Sequence, residues 1–146
     1  MTPDSALVRL IVAIAVLNGV HSIDHVIRGD FQWPIDGQSI GFVLVVAAIY
    51  LVIGIGLWFY RRGLVGPLVW SGVGLAGLVF GWLSHFSPFT DQPVHVIYGA
   101  YHAPLGGATA VACLIALMAL VFATTLYSTY LWYHLRTGST PRPVTG

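Results

Sequence analysis

Apolar residues run almost unbroken through four stretches of the chain, and polar residues collect between them. Between Arg9 and Arg28 lies LIVAIAVLNGVHSIDHVI, with no charge before Asp24. At about 1.5 Å per residue this run, 10–27, covers about 27 Å, close to one bilayer hydrocarbon core. Three further runs, at about 40–60, 67–86 and 108–130, are of spanning length and equally apolar. The pattern predicts an all-α membrane protein: a four-transmembrane-helix bundle forming one domain over residues 1–135. The first run is too long for a signal peptide, and no small-x-small cleavage pattern follows it. The segment 136–146, RTGSTPRPVTG, is rich in turn formers without apolar periodicity and is expected to be a disordered tail.

Composition agrees with the pattern. The chain is 57% hydrophobic and 8% charged, against roughly a quarter charged in a soluble domain. Net charge is +1, with no basic tract, Gly-rich phosphate loop or zinc-finger spacing, which excludes nucleic acid and nucleotides as partners. The lipid bilayer remains, with other membrane subunits or a second copy of the chain as candidate partners. The single Cys113 allows no intrachain disulfide. Lysine and glutamate are absent, a codon-usage trait of GC-rich genomes, and the expected location is a bacterial plasma membrane crossed several times.

Charge sets an expected orientation, because Arg and Lys near span ends are retained in the cytoplasm. A four-span topology puts Arg9, Arg61, Arg62, Arg136 and Arg142 on one side and Arg28 alone on the other. Both termini are therefore expected to be cytoplasmic. Trp58, Phe59, Tyr60, Tyr130, Trp132 and Tyr133 then mark the inner boundary, and Trp33, Trp82, Phe86 and Phe89 the outer one. Asp24, Asp30, Asp36 and Asp91 share the outer side with five histidines, so that its formal charge is −3 against +4 inside. The outer mouth should attract cations.

Three stretches could carry chemistry there. In the first span Asn18, His21 and His25 recur at helical spacing, and Asp24 is three residues from His21. They form one polar stripe. Ionisable groups in a span normally face the bundle interior or a wet cavity; the plain alternative is a polar helix end at headgroup level. In the third span Gly74, Gly77 and Gly81 lead to His85 along one face, flat enough for close helix packing or for a planar ligand. The longest connection, SPFTDQPVHVIYGAYHAP, predicts a short interfacial helix between spans 3 and 4, capped by Thr90 or Asp91, with Pro93 in its first turn. On it His95, Tyr98 and His102 share a face, either among headgroups or closing as a lid over the first-span stripe. A break near Pro104 is required, since one helix from Pro93 to His134 would be about 63 Å long. His134 belongs to the inner side and reads as a solvated or headgroup-contacting residue.

Three functional readings follow. In the first, His21, His25 and His85 bind a divalent metal, with Asp24 as fourth ligand or orienter and Asn18, Asp91, His95, Tyr98 and His102 around them. Imidazole and carboxylate donors suit zinc or ferrous iron, and an open position would allow attack on an amphiphilic substrate at the outer leaflet. In the second, haem b is held between histidines of the first and third spans, with the porphyrin against the glycine face. The neighbouring carboxylates favour an ion over haem. In the third, the chain is a non-catalytic accessory subunit that packs through its glycine face on a larger membrane complex.

Overall fold

Asp4 opens the first helix by accepting a hydrogen bond from the Leu7 N–H at 2.8 Å, and Gly29 closes it at φ 99°. That left-handed conformation costs an L side chain, whereas glycine adopts it freely. The computed structural model describes residues 3–90 and 92–138, all-helical with turns and loops between. Its elements are α1 (Ser5–Arg28), α2 (Gly37–Arg61), α3 (Leu68–His85), α4 (Val94–Gly99) and α5 (Pro104–Thr137). Four of them, α1, α2, α3 and α5, are long and apolar enough to cross a membrane. The chain is a multi-pass membrane protein by this criterion.

The boundaries have local causes. Asp36 caps α2 by accepting from the Ser39 N–H at 2.8 Å, and this bond holds its carboxyl below the ordinary aspartate range. Pro104 starts α5, where its missing N–H would have had no partner. The expected break there is present, but α5 runs seven residues past the expected end at 130, so Arg136 and Thr137 continue the helix. Ring contacts four residues apart line this extension: Tyr130 with His134 at 4.2 Å, and the Arg136 guanidinium over Trp132 at 4.9 Å. Gly138, at φ 63°, ends it. Residues 139–146 of the expected tail, and Asp91, lie outside the described residues.

α5 is the central element, packing on α3, α1 and α4, while α2 touches α1. The glycine face of α3 meets α5. A Cβ on Gly74 would strike the Thr125 side chain, one on Gly81 would press on the end of Met118, and one on Gly77 would lie 3.7 Å from Val121. The Ser71 and Ser128 hydroxyls meet at 2.9 Å across the same interface, and Thr129 donates to Ser71 at 2.9 Å. Small residues let the backbones approach and hydroxyls bind them together where no hydrophobic drive separates helix from lipid. Since α5 fills this face, it offers a slot neither to a porphyrin nor to a partner subunit.

Near the termini, Leu7, Ile11, Tyr60 and Trp70 form a buried cluster. There the Tyr60 hydroxyl accepts from the Asp4 N–H at 3.1 Å, and Tyr127 donates to the Asp4 carboxylate at 3.2 Å. A second cluster, Ile97, Ala110 and Leu114, seats α4 on α5. Gly107 permits this, because a side chain there would collide with the Tyr98 carbonyl.

The glycines rank themselves by what a side chain would meet. Gly74→Ala should destabilise the fold by about 1–3 kcal/mol, as overpacking does, whereas Gly77→Ala should be tolerated. Thermal unfolding in detergent measures both. Equal melting temperatures would mean that α3 and α5 do not meet at Gly74.

Candidate metal centre

His21 and His25 stand one turn apart near the end of α1, and His85 is the last residue of α3. Their ring nitrogens converge: His21 Nε2 lies 3.3 Å from His85 Nε2 and 3.1 Å from His25 Nε2. All three ligand atoms fall within 4.8 Å of one another. His21 and His85 are buried and His25 is partly so, with Phe42 of α2 5.6 Å from the His25 ring.

The tautomers follow from the outer partners. His25 Nδ1 is 2.6 Å from Asp30 Oδ2, which can only accept, and 3.1 Å from Arg28 Nη2, which can only donate; the shorter contact, to a carboxylate, assigns the proton to Nδ1, with Arg28 then beside it but not bonded to it. His85 Nδ1 faces the Gln92 carbonyl at 3.4 Å, again an acceptor. Both rings therefore turn Nε2 lone pairs toward His21. A proton on His21 Nε2 can satisfy one of these neighbours; a metal ion satisfies all three nitrogens at once. Imidazole held at Nδ1 by a carboxylate or a carbonyl is the usual outer shell of a histidine metal site.

Distance discriminates between kinds of metal group. Zinc–imidazole bonds of about 2.0–2.1 Å at tetrahedral angles separate neighbouring nitrogens by about 3.3–3.4 Å. The observed 3.1 and 3.3 Å match that edge. Two axial ligands across a haem iron would need about twice one bond length, about 4 Å, which the His21–His85 pair at 3.3 Å does not reach.

Asp24 does not join the three. Its Oδ2 accepts from Arg28 Nε at 3.0 Å and its Oδ1 from the Tyr101 hydroxyl at 2.5 Å. Its closest approach to the cluster is 4.0 Å, to His21 Nδ1, an atom with no hydrogen-bond partner. Burial, reinforced by the bond to Asp24 and that carboxylate's charge, pushes the Tyr101 phenol up to about 12. Arg28 is as buried as Asp24 and also donates to the Gln92 side chain at 2.7 Å. Gln92 in turn donates to Asp30 Oδ1 at 2.8 Å, and Gln38 to the same oxygen at 3.1 Å. Burial opposes ionisation of Asp30, yet the bonds from His25 and Gln92, with the His25 and Arg28 charges, outweigh it and hold the carboxyl below its ordinary range.

Local structure places these groups. Gly29 turns the chain at the end of α1, so that the Asp30 N–H bonds the His25 carbonyl and its carboxylate returns to the His25 ring. Thr90 donates to the Ser84 carbonyl at 2.5 Å and accepts from the Gln92 N–H at 3.0 Å, bringing Gln92 over the cluster.

The expected lid is built from different residues. His95, Tyr98 and His102 are all exposed. The apolar face of α4 decides this: Ile97 is fully buried, with Val94 and Tyr101 packed against the same cluster. Tyr101 and Gln92 reach the site instead. Asn18 lies one turn before His21, and its Nδ2 is buried without a partner.

Four contributors were not singled out from the sequence: Asp30, Arg28, Gln92 and Tyr101. Arg28 had a signal, being four residues from Asp24 and three from His25 on one helix, spacings that bring side chains together. Gln92 and Tyr101 join α1 across more than 60 residues of sequence and carry no local signal.

Comparison of the chain with protein-family models, curated proteins and solved structures finds no match to any of them.

Proposed function

We propose that the chain is a bacterial plasma-membrane protein with a divalent metal centre, zinc or ferrous iron, held by His21, His25 and His85 at the extracytoplasmic ends of its helices. One observation carries the reading: three imidazole nitrogens converge within 4.8 Å of one another, two of the three pairs near the tetrahedral edge, and two of the rings face acceptors at Nδ1. Carboxylates outside the nitrogens and a buried Arg28 are more than a polar helix end requires. Three neutral histidines leave a coordination position open, the pattern of reactive zinc sites as opposed to four-ligand structural ones. Such a centre polarises a carbonyl or phosphoryl oxygen and activates water. Its position near the span ends fits an amphiphilic substrate presented by the outer leaflet.

The arginine distribution supports the orientation. In a Cys113→Ala background, Ile35→Cys should be labelled by an impermeant maleimide from outside the cell. Leu64→Cys, at the opposite end of α2, should be labelled only after the membrane is opened. Both positions are exposed. The reverse pattern would put the histidines in the cytoplasm.

A second reading is favoured by α2. No residue of its most apolar stretch is buried within the chain. An accessory subunit, or one copy of a homo-oligomer, would use this face and not the glycine face, which α5 occupies.

Metal analysis with an absorption spectrum, on protein purified without chelators, tests the proposal. Near-stoichiometric zinc or iron with no Soret band is the expected result. Protein that holds no metal and takes up none on addition would leave the accessory-subunit reading; a Soret band would replace the ion by haem.

A further inference from the structure

We infer that the fourth position of the three-histidine centre takes a small monoanion from outside the chain, and that Asn18 supplies a hydrogen bond to it. The inference rests on the metal reading above and names the class of ligand that completes the site.

Among the described residues, no fourth histidine, cysteine or aspartate converges with the three histidines. Both oxygens of Asp24 are engaged, by Arg28 and by Tyr101. Those of Asp30 are taken by His25, Gln38 and Gln92. The lone Cys113, on α5, is not part of the group. The described residues therefore leave the fourth position to a ligand from outside them.

Charge selects its class. Three imidazoles protonated at Nδ1 are neutral, so a divalent ion keeps both its charges. Asp24 and Asp30 contribute two negative charges beside it, and Arg28 one positive charge. One positive charge is left uncompensated among buried groups, where an unpaired charge is costly. A monoanion cancels it; a neutral ligand leaves it standing, and a dianion reverses it. Burial of His21 and His85 to 7% and 6% exposure restricts the ligand to a few atoms.

Asn18 provides the second, independent observation. Its Nδ2 has two N–H groups, is shielded from solvent, and has no acceptor in the protein. It precedes His21 by three residues, so the two side chains are neighbours on one face of α1. A buried amide donor without a partner is uncommon. An anion on the metal beside His21 would give it one.

Cobalt(II) substitution tests this, because the visible bands of cobalt report its coordination. Cobalt-loaded protein in detergent is titrated with sodium azide and, separately, with sodium thiocyanate. A saturable change of the bands is expected. Asn18→Leu should keep the cobalt content and the anion-free spectrum while azide affinity falls about tenfold or more, the loss typical of a hydrogen bond to a charged group. Asn18→Ala, which cannot clash, should show the same loss and serves if the Leu variant does not fold. Bound cobalt whose spectrum no anion alters would overturn the open position while leaving the metal centre intact. Unchanged azide affinity in both variants would overturn the role of Asn18. Protein that binds no cobalt would refute the metal reading itself.

Discussion

Replacing any one of His21, His25 and His85 by Ala is expected to abolish most divalent-metal binding. Each ring supplies one of only three protein bonds, and its loss also removes the geometry that makes the remaining pair selective. The affinity loss should exceed the 10–100-fold, approximately, that follows loss of an outer partner. The three losses should not add, because one missing ligand already dismantles the site. His134→Ala, at the opposite end of α5, is the control and should leave metal content unchanged. Competition against a chromophoric chelator measures all four variants. Parental affinity in the three outer variants would mean that the histidines do not share an ion.

Asp30→Asn is expected to weaken metal affinity by about 10–100-fold without emptying the site. The amide still offers His25 Nδ1 an acceptor oxygen but no negative charge, so the ring is less basic and less firmly held. Asp24→Asn should behave differently. Asp24 bonds Arg28 and Tyr101 and no converging nitrogen. Its neutralisation leaves Arg28, whose side chain is 6% exposed, facing a weaker partner. Breaking a buried ion pair typically costs about 3–5 kcal/mol. Stability should therefore fall in Asp24→Asn and metal affinity in Asp30→Asn, a separation that paired melting and chelator measurements resolve. A loss of affinity in Asp24→Asn greater than that in Asp30→Asn would place Asp24 among the ligands after all, and an equal loss would make it an outer partner.

The four long helices were legible because each needs only its own apolar run, and the break before α5 because Pro104 forbids one continuous helix. The three histidines were legible for a related reason. His21 and His25 share a helical stripe, and the glycine spacing of α3 aims His85 along a packing face. What the glycines pack against was not legible. Spacing marks a flat face but does not name its occupant, and here the occupant is α5 with Thr125, Val121 and Met118. The outer partners were hidden for a different cause. Asp30 reaches His25 only because Gly29 reverses the chain, while Gln92 and Tyr101 arrive from a connection whose path is set by tertiary contact. The same connection carries His95, Tyr98 and His102, for which the sequence left open a place among headgroups or a lid. His95 and Tyr98 lie on α4, which Ile97 seats against α5, and His102 lies beyond its end at Gly99; all three are exposed.

X-ray absorption at the metal edge, on purified protein loaded with one equivalent of zinc, tests the central claim most directly. The account predicts three imidazole nitrogens and one further light atom at about 2.0–2.1 Å, four-coordinate and without sulfur. The outer scattering of three imidazole rings should be present in the parent and reduced in His85→Ala. A six-coordinate oxygen shell, a sulfur neighbour, or a spectrum unchanged by His85→Ala would contradict it.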